Sequence, residues 1–154
     1  MNRIYLAFGV HNHQPVGNFD HIFEEACQKC YIPYLQLLLK HPNFRSSIHY
    51  SGVLLDWMLK HHPETAAMIQ TLVDRKQLEL LTGGHYEPIL PVIPDRDKIG
   101  QITKYTAALH GQFGVSPKGM WLAERVWEPH LTAPMARAGV TYTVLDDTHS
   151  SIPD

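Results

Sequence analysis

Short apolar runs alternate along this chain with longer stretches in which apolar residues return every three or four positions. Residues 3–9 (RIYLAFG) form an apolar run of strand type that stops before His11. Over residues 19–40, Phe23, Ala26, Cys27, Tyr31, Tyr34, Leu35 and Leu38 fall at helical spacing. Pro33 should divide that helix, because proline lacks the amide hydrogen and crowds the turn before it. Residues 44–51 (FRSSIHYS) read as a second strand, followed by a helix over 53–61. Pro63 then opens another helix over 64–75, at a position where proline is tolerated. The third strand, 77–82 (QLELLT), ends in Gly83-Gly84 and a proline-rich loop. Asp95 or Asp97 is expected to cap a long helix that reaches Phe113. A fourth strand over 119–123, a short helix over 129–138 stopped by Gly139, and a fifth strand over 140–145 complete the pattern.

Strands alternating with helices predict an α/β fold with a parallel sheet covered by helices and joined by right-handed crossovers. The side chains capable of chemistry fall at the carboxyl ends of the strands. His11 and His13 follow the first, His49 closes the second, and Tyr86 and Glu87 follow the third. Glu124 follows the fourth, and Asp146 and Asp147 follow the fifth. That edge is where barrels and open α/β sheets build their active sites. Five strands are too few to close a barrel, which usually takes ~250 residues. The reading is therefore a parallel-stranded barrel that is incomplete in this chain, with residues 150–154 resembling the start of a loop.

Composition narrows the partners. The 154 residues carry a formal net charge of −2, without a Lys/Arg cluster, so neither nucleic acid nor an anionic membrane is expected. No run is long enough to span a membrane, and the apolar start is too short for a signal peptide; the cytoplasm is the expected compartment. Cys27 and Cys30 form a lone CxxC on a helix, which cannot close a zinc site by itself and reads as incidental thiols. Oligomeric state is not encoded legibly.

Each candidate has more than one reading. His11 and His13 lie on the same side of an extended chain. They can share a divalent metal, grip a polyol, or be satisfied by backbone in a tight loop. Glu79 sits between Leu78 and Leu80, and is either paired, aimed into the barrel mouth, or at a solvated strand end. Tyr86 and Glu87 can wall a pocket, although Glu87 can equally be an exposed charge. Glu124 lies between Trp121 and Trp127 with Arg125 beside it. Those are the parts of a nucleophile kept ionised by a cation, next to rings that suit sugar faces; the alternative is an Arg125–Glu128 surface pair over a buried Trp121.

Taken in order, HNHQPVGNF, QLELLTGGHYEPIL, WLAERVWEP and VLDDTHS resemble consecutive motifs of glycoside hydrolase family 57, nearest its 4-α-glucanotransferase and α-amylase-like members. The resemblance implies an incomplete (β/α)7 barrel, of which residues 1–154 would be the N-terminal portion, followed in the family by a helical region. It implies a retaining mechanism on α-1,4-glucans or maltooligosaccharides, with no metal and no cofactor. The nucleophile would be Glu124, and His11, His13, Glu79 and Trp121 would line the substrate cleft; from their places after the third and fifth strands, Tyr86 and Asp147 are expected to bind substrate beside them. The acid/base would be an aspartate of a later motif, beyond Asp154. Two other expectations compete: a metal-dependent carbohydrate deacetylase using His11, His13 and an Asp, and a sugar-binding remnant without turnover.

Overall fold

A computed structural model describes residues 3–150. Its elements run β1 (Gly9–Asn12), α1 (Asp20–Ala26), α2 (Ile32–Lys40), β2 (Ser46–Tyr50), α3 (Gly52–His61) and α4 (Pro63–Asp74). They continue with β3 (Leu78–Leu80), α5 (Asp95–Phe113), β4 (Gly119–Trp121), α6 (Thr132–Arg137) and β5 (Tyr142–Val144). The strands are parallel: β1 pairs with β2, β2 with β3 and β4 with β5. A parallel bridge from Thr82 to Met120 joins the two sets. Spatial order thus follows chain order. A doubly wound sheet reverses at a switch point, so this progression is that of a barrel wall.

Alternation sorts the side chains. Ile48, Tyr50, Leu78 and Leu80 point outward and are buried with Leu35, Leu54, Met58, Ile69, Leu72 and Tyr105 under the helices. Each fully buried residue of this size is worth about 1.5–3 kcal/mol of transfer free energy. A second cluster, with Met120, Leu122, Ile102, Leu131 and Met135, sits behind β4. The residues in between, Gly9, Ser47, Glu79, Trp121, Tyr142 and Val144, line a concave cavity of about 860 Å³ on the other side of the sheet.

Several expectations are corrected. The first strand does not cover 3–9 but begins at Gly9. Residues 3–7 lie exposed, Ile4 at 95%, because no described strand lies beside them to pair their backbone. Neither Asp95 nor Asp97 caps α5: Pro94 takes the cap position without a side-chain bond, and Asp95 instead holds the buried Lys98 at 2.7 Å. Both acids still sit in the first turn, where the helix dipole favours them. The division at Pro33 is present as a π-turn over Cys27–Tyr31, whose widened ladder makes room for the proline ring without breaking the helix. Cys27 is buried and Cys30 exposed; burial raises the Cys27 thiol to about 11, as suits an inert thiol. Residues 151–154, most of the loop expected at the end, lie outside the described residues. No described helix is long and apolar enough to cross a membrane.

Candidate active site

The β1–β2 register sets His11 opposite His49. Their Nδ1 atoms are 2.9 Å apart, one nitrogen donating to the other. Trp121, from the last position of β4, stacks on the His11 ring with centroids 4.4 Å apart and planes 14° from parallel. His49 packs edge-on against Tyr105 at 5.5 Å, and the Tyr105 hydroxyl donates to the Tyr50 carbonyl at 2.6 Å. Three strands thereby supply one wall of stacked rings at the carboxyl edge of the sheet.

Glu87 reaches this wall from the loop after β3. Its backbone is left-handed, φ 50°, a conformation that costs an ordinary residue about 1–3 kcal/mol and persists where the surroundings impose it. One carboxylate oxygen is hydrogen-bonded to His13 Nδ1. The other lies 3.5 Å from His11 Nε2 and 3.6 Å from His49 Nδ1. The side chain is 6% exposed. Burial pushes the Glu87 carboxyl up; the His13 bond opposes that shift and the charge of Glu124 adds to it. Burial, with the charge of His13, lowers His11 to about 4, and burial pushes the fully enclosed His49 far down. Both rings are therefore neutral near pH 7. Buried His49 Nε2, Glu87 Oε1 and Trp121 Nε1 have no hydrogen-bond partner among the described residues, and so many orphans in one place are unusual outside sites that meet a ligand.

Glu124 stands just past β4 in a turn where both it (φ 52°) and Arg125 (φ 53°) are left-handed. It is exposed, and among the described residues no hydrogen bond or ion pair holds it. The expected cation is elsewhere: Arg125 Nε lies 3.5 Å from Asp146 Oδ2, so it pairs with neither Glu124 nor Glu128. Glu124 is nonetheless close enough for its charge to act on Glu87.

The remaining candidates divide. Glu79 sits one tier below the ring wall on the concave face, where the Tyr142 hydroxyl donates to it. The phenol crosses Gly119, at which even a methyl group would lie 2.2 Å from the ring. His13 joins the cluster through Glu87. Tyr86 is drawn to α5 instead, its hydroxyl accepting from Lys104 Nζ at 2.6 Å and its backbone amide donating to Gln101 Oε1 at 3.0 Å. Asp147 is exposed in the turn after β5, bonded to the neighbouring Asp146 carboxyl. Two residues that the sequence offered with several readings, Glu87 and His49, prove central, and a third, Tyr142, was not among the candidates. Strand alternation, which turns Tyr142 toward the concave face, was the signal that could have found it.

The family description "Glycosyl hydrolase family 57" matches residues 7–154. Alpha-amylase 1 of Dictyoglomus thermophilum is 51% identical over 146 residues, 95% of this chain and 21% of that protein. The 4-alpha-glucanotransferase of Thermococcus litoralis is 41% identical over 149 residues, 97% of this chain and 22% of the relative. Its crystal structure superposes with a TM-score of 0.91, covering 94% of this chain and 23% of that one. The chain therefore spans about a fifth of the length of the curated relatives it matches. With the barrel wall, the ring-lined mouth and these matches in agreement, the chain belongs to glycosyl hydrolase family 57.

Proposed function

We propose that this chain supplies the attacking half of a retaining site for α-1,4-glucans, with Glu124 as nucleophile. The observation that supports this most is the convergence at the end of β4, where an acid on a strained turn adjoins a wall of imidazole and indole rings. The ring faces suit the apolar faces of a sugar, and the unpartnered Trp121 Nε1 supplies a donor for its hydroxyls. The Glu124 carboxylate would attack the anomeric carbon and form a β-linked glycosyl-enzyme as the glycosidic bond breaks. A retaining mechanism needs a second carboxyl group ~5–5.5 Å away to protonate the departing oxygen. Family resemblance assigns that acid to an aspartate of a later motif, in the part of the relatives' length that this chain does not span. Capture by water gives hydrolysis and capture by a sugar hydroxyl gives glucan transfer, and relatives carry both names. Family membership does not favour the deacetylase alternative.

The test is Glu124→Gln in a protein of the relatives' full length. Turnover of maltooligosaccharides is expected to fall on the order of 10⁴-fold or more while binding of the same sugars persists by calorimetry. Retained turnover would remove the assignment, and so would equal loss of binding and turnover, which would make Glu124 a substrate-holding residue only.

A further inference from the structure

The geometry points to a divalent transition-metal site, of the kind that takes Zn²⁺, formed by His11 Nε2, His13 Nδ1 and the carboxylate of Glu87. These three residues offer donor atoms that all lie within 4.8 Å of one another. Two imidazole nitrogens and one carboxylate are the protein ligand set of an open zinc site, whose fourth position is left to water or substrate. His11 Nε2 and Glu87 Oε1 are 3.5 Å apart. Two ligands of a tetrahedral ion, each about 2.0–2.2 Å from the metal, stand at such a spacing after a shift of a few tenths of an ångström.

The surroundings independently favour an ion. Glu87 is more than nine-tenths buried, and its Oε1 has no hydrogen-bond partner although it is aimed between His11 and His49. Leaving a carboxylate oxygen buried and unpaired costs several kcal/mol unless something positive approaches it. His49 also acts from behind. The 2.9 Å contact between His11 Nδ1 and His49 Nδ1 leaves His11 Nε2 as the lone-pair nitrogen in the tautomer where His11 is the donor, which is how second-layer partners set the tautomer of ligating histidines. On binding, the metal replaces the hydrogen bond between His13 and Glu87, and a proton shared by that pair leaves for solvent.

This inference does not rest on the glucan reading, and its test requires no turnover. Chelator-treated protein is titrated with Zn²⁺ by calorimetry and by equilibrium dialysis with metal analysis. One tight equivalent per chain is expected. Affinity for it should fall at least tenfold in Glu87→Gln and in His13→Gln, and stay unchanged in His110→Gln, which lies far along α5 on an exposed turn. Co²⁺ in place of Zn²⁺ should give the visible absorption of a four-coordinate ion, weakened in the same two variants. His13 is half exposed, so its variant remains informative if Glu87→Gln fails to fold. Absence of a stoichiometric site, or equal affinity in the wild-type chain and His13→Gln, overturns the proposal, because the bound metal would then belong to other surface histidines.

Discussion

At the scale of single residues, one missing side chain organises the mouth. A methyl group at Gly83 would lie 2.5 Å from His49 Nε2, inside any real contact distance, so His49 can stand behind His11 only because position 83 is bare. Gly83→Ala is expected to cost about 1–3 kcal/mol, the usual range for overpacking a tight interior, measured as a shift of the urea midpoint at constant slope. It should also loosen the His11–Trp121 stack, seen as a change in Trp fluorescence. An unchanged midpoint would mean that the His49 ring has room to retreat, and the wall is softer than its stacking suggests. The same residues show what the sequence made legible. His11, His13 and Trp121 were recognisable because loop histidines and a tryptophan at a strand end are conspicuous. His49 was legible as a histidine near the carboxyl end of its strand, but its place behind His11 follows only from the register that sets the two opposite each other. Tyr142 and Glu79 are 63 positions apart, and nothing local announces that a phenol will cross Gly119 to reach a carboxylate.

At the scale of elements, the helices followed their apolar periodicity, while the strands were overestimated in length. Amphipathic spacing constrains a helix from within: Ile102, Tyr105, Leu109 and Phe113 mark the buried face of α5, and Gly114 at φ 69° ends it. A strand is bounded by its neighbour instead, so the run at 3–7 lies outside β1 even though its composition favours extension, and pairing with β2 starts only at Phe8, whose carbonyl accepts from the Ser47 amide. Packing between helices also brings charge. His62, at the junction of α3 and α4, donates to Glu64 across 3.0 Å and to Glu24 of α1 across 2.9 Å. Burial works to lower the imidazole, but the two carboxylate bonds outweigh it and hold its pKa above the ordinary value of 6.5. Both carboxyls are correspondingly held below their ordinary 4.5 by the bonds they make. The signs are opposite. Stability from the raised histidine is complete below about pH 6.5 and is lost as pH climbs through its folded value; stability from the acids is present above about pH 4.5 and is lost on acidification. The cluster should therefore contribute most near pH 5.5. His62→Gln is expected to lower the urea midpoint more at pH 5.5 than at pH 8.5, and an equal loss at both values would show that the contacts act as neutral hydrogen bonds.

At the scale of the whole molecule, the described sheet is a wall with two free edges. β1 has a partner only on the β2 side and β5 only on the β4 side, and the inner face opens onto a cavity of about 860 Å³. Apolar side chains gather along this opening, Leu6 and Phe8 beside β1 and Tyr142 and Val144 on β5, and Ile4 and Tyr5 are exposed as well. Unpaired strand edges flanked by apolar surface are templates for further strand addition, and contiguous exposed apolar patches are uncommon on proteins that remain monomeric. The core behind the sheet is nonetheless well filled, with Ile48, Leu54, Met58, Ile69 and Leu72 fully enclosed, so the chain has what it needs to hold its helices in place while its inner face remains open. The 154-residue chain on its own is therefore expected to fold and then to associate. Sedimentation velocity should show species that grow with concentration, while circular dichroism retains the helical signal. Leu6→Lys should shift the distribution toward monomer without altering the thermal midpoint, because that side chain is 78% exposed and belongs to neither buried cluster. A concentration-independent monomer with little binding of an apolar dye would contradict this, and would mean that residues 3–8 fold back over the inner face and close the wall from within.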